Sequence, residues 1–249
     1  MNRFLFAKQI KSYWIFELLC IIVPALAAIA IVAVGNADVN GIKEVSPTID
    51  TVFFSSIALE MSAIFIIVAG TGLVTGDVQK GTITYTATAG IGRWKIINTK
   101  ITFFALYSLI FFIINLIILL PLFSAQKTDV NLGLFVVKMF GFMLLLLATS
   151  GFMFIISSVF NKSVLTFSIG GGIIVFFILM SILSQIDPIG KYVKYLTINT
   201  LFYVEGYTIK NGKINLNATA ILGMIILGGI GIGTYVGSAF IFTRKDLPL

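Results

Sequence analysis

Six long apolar runs follow one another along this chain, and they leave few folds open to it: Tyr13–Val34, Thr51–Thr75, Ile101–Phe123, Leu132–Phe160, Val164–Gln185 and Ala218–Phe242. A helix crosses the hydrocarbon core of a bilayer with about 20 such residues. Inside lipid each backbone N–H and C=O must find its partner within the spanning structure, which a helix provides. The pattern predicts an all-α membrane protein with six transmembrane helices. Asn161, Lys162 and Ser163 alone separate the fourth run from the fifth, so a tight turn is expected there. Charged residues make up 11% of the 249 and the mean hydropathy is +1.06, whereas roughly a quarter of a soluble domain is charged. The first run is too long for the apolar part of a signal peptide, and no small-residue cleavage site follows it.

An even number of spans puts both termini on one side. Arg3, Lys8, Lys11, Lys80, Arg93, Lys95, Lys100, Lys162, Arg244 and Lys245 share that side. Lysine and arginine collect in cytoplasmic loops, so both termini are expected in the cytoplasm. The other side carries most of the acids, with four lysines in the long segment 186–217, where the charge rule weakens. The net charge of +7 is spread over short segments without a soluble basic face, which argues against a nucleic-acid partner.

Chemistry within the chain has little to work with. There is no histidine and one cysteine, Cys20, which excludes the usual zinc sites, His-dependent triads and an internal disulfide. Neither a P-loop nor a nucleophile elbow is present. The chain reads as no enzyme, with no metal or cofactor of its own.

Three ionisable side chains fall within spans. Glu60 is the deepest, with Ser56 four residues before it on the same helical face. A carboxylate at that depth costs a few kcal/mol against lipid. It either faces a water-filled path or is a neutral acid hydrogen-bonded between helices. Glu17 and Lys138 lie nearer span ends and are expected to snorkel, Glu17 toward Lys11 or the interface and Lys138 outward. In the last span Gly229, Gly233 and Gly237 recur every four residues, a small-residue stripe that suits close helix packing. Gly170–Gly172 suggests close packing or a bend in the fifth span, and Pro24 a kink in the first.

The start, MNRFLFAKQIKSYW, sets Phe6, Ile10 and Trp14 against Arg3, Lys8 and Lys11, which suits an amphipathic interfacial helix over residues 1–12. Between spans five and six, Ile189, Val193 and Leu196 recur at helical spacing, so an outer helical segment is expected within 186–217. Asn211-Gly212 in that segment is a preferred hairpin-turn pair, set between alternating residues.

The polar stretch 76–100, GDVQKGTITYTATAGIGRWKIINTK, interrupts the apolar runs. Its Thr82–Ala89 part alternates as a strand does. Equally, Thr82 suits the cap of a short helix that Gly90 closes. Asp77, Gly81-Thr82, Gly90-Ile-Gly-Arg93 and Lys100 follow in an order that resembles the first cytoplasmic loop of type-2 ABC exporter permeases. The tail Phe242-Thr-Arg-Lys-Asp-Leu247 is similar to their endings, and the basic start to their connector helix. Gly90 stands where many members have proline.

The resemblance implies a single permease domain over 1–249 in a bacterial cell membrane. It implies a coupling helix at about Gly81–Gly90 that docks a separate cytoplasmic ATPase, which binds the ATP and magnesium. Asp77, Gly81, Thr82, Tyr85, Gly90, Arg93 and Lys95 are then the coupling residues, and Ser56 and Glu60 line a path shared with a second permease subunit. Among such exporters the chain looks most like those that expel amphipathic toxin or antimicrobial peptides. Two alternatives come from the residues themselves: an ion-coupled carrier built on Glu60, and a membrane anchoring subunit without a path.

Overall fold

A computed structural model of the chain describes residues 3–36, 45–83, 90–125, 130–184, 186, 190–202, 206–210 and 213–245. Six helices in it are long and apolar enough to cross a membrane. They are α1 (Arg3–Asn36), α2 (Val45–Gln79), α3 (Arg93–Ala125), α4 (Leu132–Val159), α5 (Ser163–Leu183) and α6 (Ala218–Arg244). Each contains or closely matches one of the apolar runs.

The basic start does not form a separate interfacial helix. From Arg3 it belongs to α1, which continues unbroken past Pro24. No glycine or proline lies between Arg3 and Pro24, so nothing in the local sequence stops helix propagation there.

α2 departs from a plain span. It is α-helical at Val45–Thr48, Ala58–Gly70 and Asp77–Gln79, and takes the wider π form at Ile49–Ile57 and Thr71–Gly76. Stretches of π-helix are rare and tend to lie where function or tertiary contact intrudes. Here neighbouring helices supply donors to the second one. Ser157 Oγ donates to the Gly70 carbonyl at 2.9 Å, and Lys100 Nζ donates to the carbonyl of Leu73. At the other end of α2, Asp50 accepts from Lys138 Nζ at 2.8 and 2.6 Å. Lys138 therefore does not snorkel outward. It is buried in α4 because a carboxylate from α2 meets it inside the bundle.

α4 is the most enclosed helix and α5 the least. In lipid the packing of helices rests on close van der Waals fit and interhelical hydrogen bonds rather than on expulsion of water. Aromatic rings supply much of that fit. Phe65 of α2 stacks on Tyr107 of α3 at 4.0 Å, and Phe104 meets Phe154 of α4 edge-on at 5.1 Å. Phe54, Phe142 and Phe202 continue the cluster toward the far end at centroid separations of 5.7–5.8 Å.

The close approach of α4 and α6 uses glycines other than the expected stripe. A Cβ on Gly151 would run into the Thr234 side chain and lie 3.3 Å from the Gly231 carbonyl oxygen. A Cβ on Gly231 would lie 3.3 Å from the Ala148 amide nitrogen. Ser150 and Tyr235 share a hydrogen bond of 2.6 Å beside this contact. Gly229 and Gly233 instead face outward with open space around them, and Gly237 only grazes Ile155 at 3.9 Å. Spacing alone left open which side of α6 meets α4. In α5, Gly170 and Gly171 are buried against Met153 and Ile67, and the helix continues without a break.

Between α5 and α6 lie short helical turns at Gly190–Val193, Lys194–Leu196 and Asn199–Leu201. An antiparallel hairpin follows, β1 (Tyr207–Lys210) and β2 (Lys213–Leu216), with Lys210 opposite Lys213. Asn211-Gly212 lies outside the described residues. Tyr207 seats the hairpin on α4, its hydroxyl 2.7 Å from where a Cβ on Gly141 would stand.

A Gly151→Val variant should lose about 1–3 kcal/mol of stability through overpacking, read as a lower thermal midpoint in detergent. Gly229→Ala should leave that midpoint unchanged.

Candidate functional site

The features singled out in the polar stretch gather at one end of the bundle. Gln79 Oε1 accepts from the Ser163 amide at 3.0 Å, which joins α2 to the start of α5. Arg93 Nη1 donates to the Lys245 carbonyl at 2.9 Å. Lys245 Nζ donates to the carbonyls of Ser158 and Phe160 at 2.9 Å each, closing the exposed end of α4. Cations suit the negative end of a helix. Partial burial nevertheless lowers the Lys245 ammonium pKa below its ordinary value.

Asp77 and Lys100 hold the centre of this end. Lys100 is almost wholly buried, and its Nζ lies 2.5 Å from Asp77 Oδ2. The first and last residues of the motif are thus ion-paired, which joins the end of α2 to α3. Lys100 follows a helix start, with its apolar stem among Phe103, Phe104 and Ile97 of the same face. A buried ammonium needs both a carboxylate and further acceptors, and the carbonyl of Leu73 in the π segment is that further acceptor.

Gly81 and Gly90 take left-handed φ values of 69° and 79°. Gly81 ends α2 as a helix C-terminal glycine does, its amide bonded to the Val78 carbonyl at 3.0 Å. Thr82 and Ile83 are helical. Residues 84–89, with Tyr85, lie outside the described residues, so the helix-or-strand question for Thr82–Ala89 falls there. Lys95 is exposed on the first turn of α3, while Arg93 is engaged with the tail instead of standing free.

A cleft of about 630 Å³, lined in part by the ion pair, opens between α1, α2, α3 and α5. Lys8, Gln9 and Tyr13 come from α1, Val68 and Asp77 from α2, and Phe167 from α5. Gly72 lets the Tyr13 ring lie against α2, since a Cβ there would stand 3.3 Å from Tyr13 Cζ. Deeper in the span, Glu60 is exposed, and Ile64 and Val68 continue outward-facing positions from it at intervals of four. Ser56 is half-buried in the π segment. Glu60 is therefore not packed between helices of this chain. Glu17, expected to snorkel, is instead buried on α1.

Among the described residues no group of three or more His, Cys, Asp or Glu side chains could hold a metal ion. Sequence reasoning missed Lys8 and Gln9 as cleft residues. The amphipathic spacing at the start of α1 was the signal, but it was assigned to the membrane surface. The chain's sequence matches no known protein family, and no curated protein matches it either.

Removing one member of the buried pair leaves the other charge unmatched. Lys100→Met is expected to cost about 3 kcal/mol in detergent unfolding. An Asp77→Asn, Lys100→Met double variant should recover at least half of that loss.

Proposed function

We propose that this chain is the permease subunit of an ATP-driven exporter of the type-2 ABC kind, working with a second permease subunit and a separate cytoplasmic ATPase. The observation that carries the reading is the cleft between α1, α2, α3 and α5, with the ion-paired base of the polar stretch in its lining. Work delivered to the segment between Gly81 and Gly90 would act on α2 and α3 together, because Asp77 and Lys100 join them. α2 forms one wall of the cleft, so displacement of its end changes access to the cleft.

Glu60 supports a second subunit. A carboxylate deep in a span and facing outward costs a few kcal/mol against lipid, so another protein surface or a hydrated path covers it. A partner permease covering Glu60 provides both, and it encloses Ser56 and Glu60 in a shared path. ATP and magnesium belong to the ATPase. The clustering of basic residues at the end with the polar stretch favours a cytoplasmic position for that end and both termini, in a bacterial cell membrane. Amphipathic peptides suit a cleft that is lined by charged, polar and apolar side chains together, which favours toxin or antimicrobial peptide export.

A second reading, an ion-coupled carrier, draws on Glu17 and Glu60, two span carboxylates without an ion pair among the described residues. The two readings differ in their energy source. Under the first, the chain co-purifies with an ATPase and transport in vesicles requires ATP. Glu60→Gln then lowers transport about tenfold, some 1.4 kcal/mol, with ATPase docking intact. Transport that follows a proton gradient without an ATPase would favour the carrier. Unchanged transport in Glu60→Gln at every pH would make that residue structural.

A further inference from the structure

The mouth of the cleft has a chemistry that coupling to an ATPase does not use. We infer that it is a binding site for an anionic phospholipid whose headgroup carries free hydroxyl groups. Lys8 and Lys80 both line it, both are exposed, and neither is in an ion pair among the described residues. Asp77 also lines it, but Lys100 answers that charge. The mouth therefore presents two uncompensated cations, which suit a phosphate.

Gln9 supplies the second requirement. It is only 6% exposed, lines the same cleft, and its Oε1 has no hydrogen-bond partner. A buried amide oxygen left unpaired is uncommon and calls for a donor. A phosphodiester has none to give and an ammonium is disfavoured beside Lys8 and Lys80, so the donor comes from a hydroxyl elsewhere in the headgroup. The third requirement is apolar. Val68 and Phe167, 41% and 53% exposed, form the lip and lead onto the outward face of α5, where Val164, Val175 and Leu179 are also exposed. Acyl chains lie along that face while the headgroup sits in the 630 Å³ cleft, a volume within the range of small-molecule sites. Interfacial depth is where charged headgroups meet lysine side chains of a span.

A single chain builds this site, so it holds or fails independently of the transport reading. The test uses the purified full chain in detergent without an ATPase, with bound lipid counted by native mass spectrometry. The probes are phosphatidylglycerol, phosphatidylmethanol (the same charge without a headgroup hydroxyl) and phosphatidylcholine. The wild type is expected to retain phosphatidylglycerol most, about tenfold over phosphatidylcholine, with phosphatidylmethanol between. Lys8→Gln with Lys80→Gln should abolish the preference for charge. Gln9→Leu should make the two anionic lipids equal while both stay ahead of phosphatidylcholine. Lys11→Gln with Lys162→Gln removes the same charge from the same end and should change nothing. Equal retention of phosphatidylglycerol and either other lipid by the wild type overturns the inference. So does an equal loss in the two lysine pairs, which would show general surface attraction.

Discussion

The ion pair between Asp77 and Lys100 organises the end of the bundle that the rest of the account depends on. An ammonium inside a membrane protein is costly unless a carboxylate and further acceptors surround it. Lys100 obtains both from α2, the carboxylate from Asp77 and the carbonyl from Leu73. The π form at Thr71–Gly76 is the other side of this arrangement, since it lies where α3 and α4 donate to α2. A mirrored arrangement stands at the opposite end, where Asp50 in the first π segment meets buried Lys138. Both ends of α2 are thus tied by lysines from neighbouring helices, while its middle stays α-helical and carries Glu60.

This makes α2 the element through which one end of the protein is felt elsewhere. It forms one wall of the cleft, bears the outward carboxylate and leads directly into the polar stretch. Thr75 Oγ1 lies 2.9 Å from Thr166 Oγ1 of α5, so the cleft wall on that side is fastened at the same level. Lipid binding at the mouth and movement of the polar stretch would act on the same few turns of α1 and α2. A lipid held by Lys8 and Lys80 would sit between the body and the segment that follows Gly81.

The spans were legible in the sequence because a bilayer imposes length and apolarity on each helix separately, with little help from its neighbours. Gly81, Thr82 and Gly90 stood out for a similar local reason, as polar or conformationally free residues in an apolar chain, whereas Asp77 and Lys100 stood out only through a resemblance in motif order. What escaped was pairwise. Nothing local to Lys138 shows that Asp50, 88 positions away, will meet it. Nothing in the spacing of Gly229, Gly233 and Gly237 shows that Gly231 faces α4. The second π segment escaped for the same reason, because Ser157 and Lys100, which donate to the carbonyls of Gly70 and Leu73, come from other helices. Glu60 was legible as an anomaly, but its direction was not.

Sided labelling at Lys95 tests the central claim most directly. This residue is exposed on the first turn of α3, and the chain's one cysteine, Cys20, is buried. A Lys95→Cys change in a Cys20→Ala chain therefore gives one reactive thiol within the polar stretch. The account predicts that a membrane-impermeant maleimide labels it in inverted vesicles but not in intact cells, and that a docked ATPase blocks the reaction. Labelling from outside intact cells would contradict it.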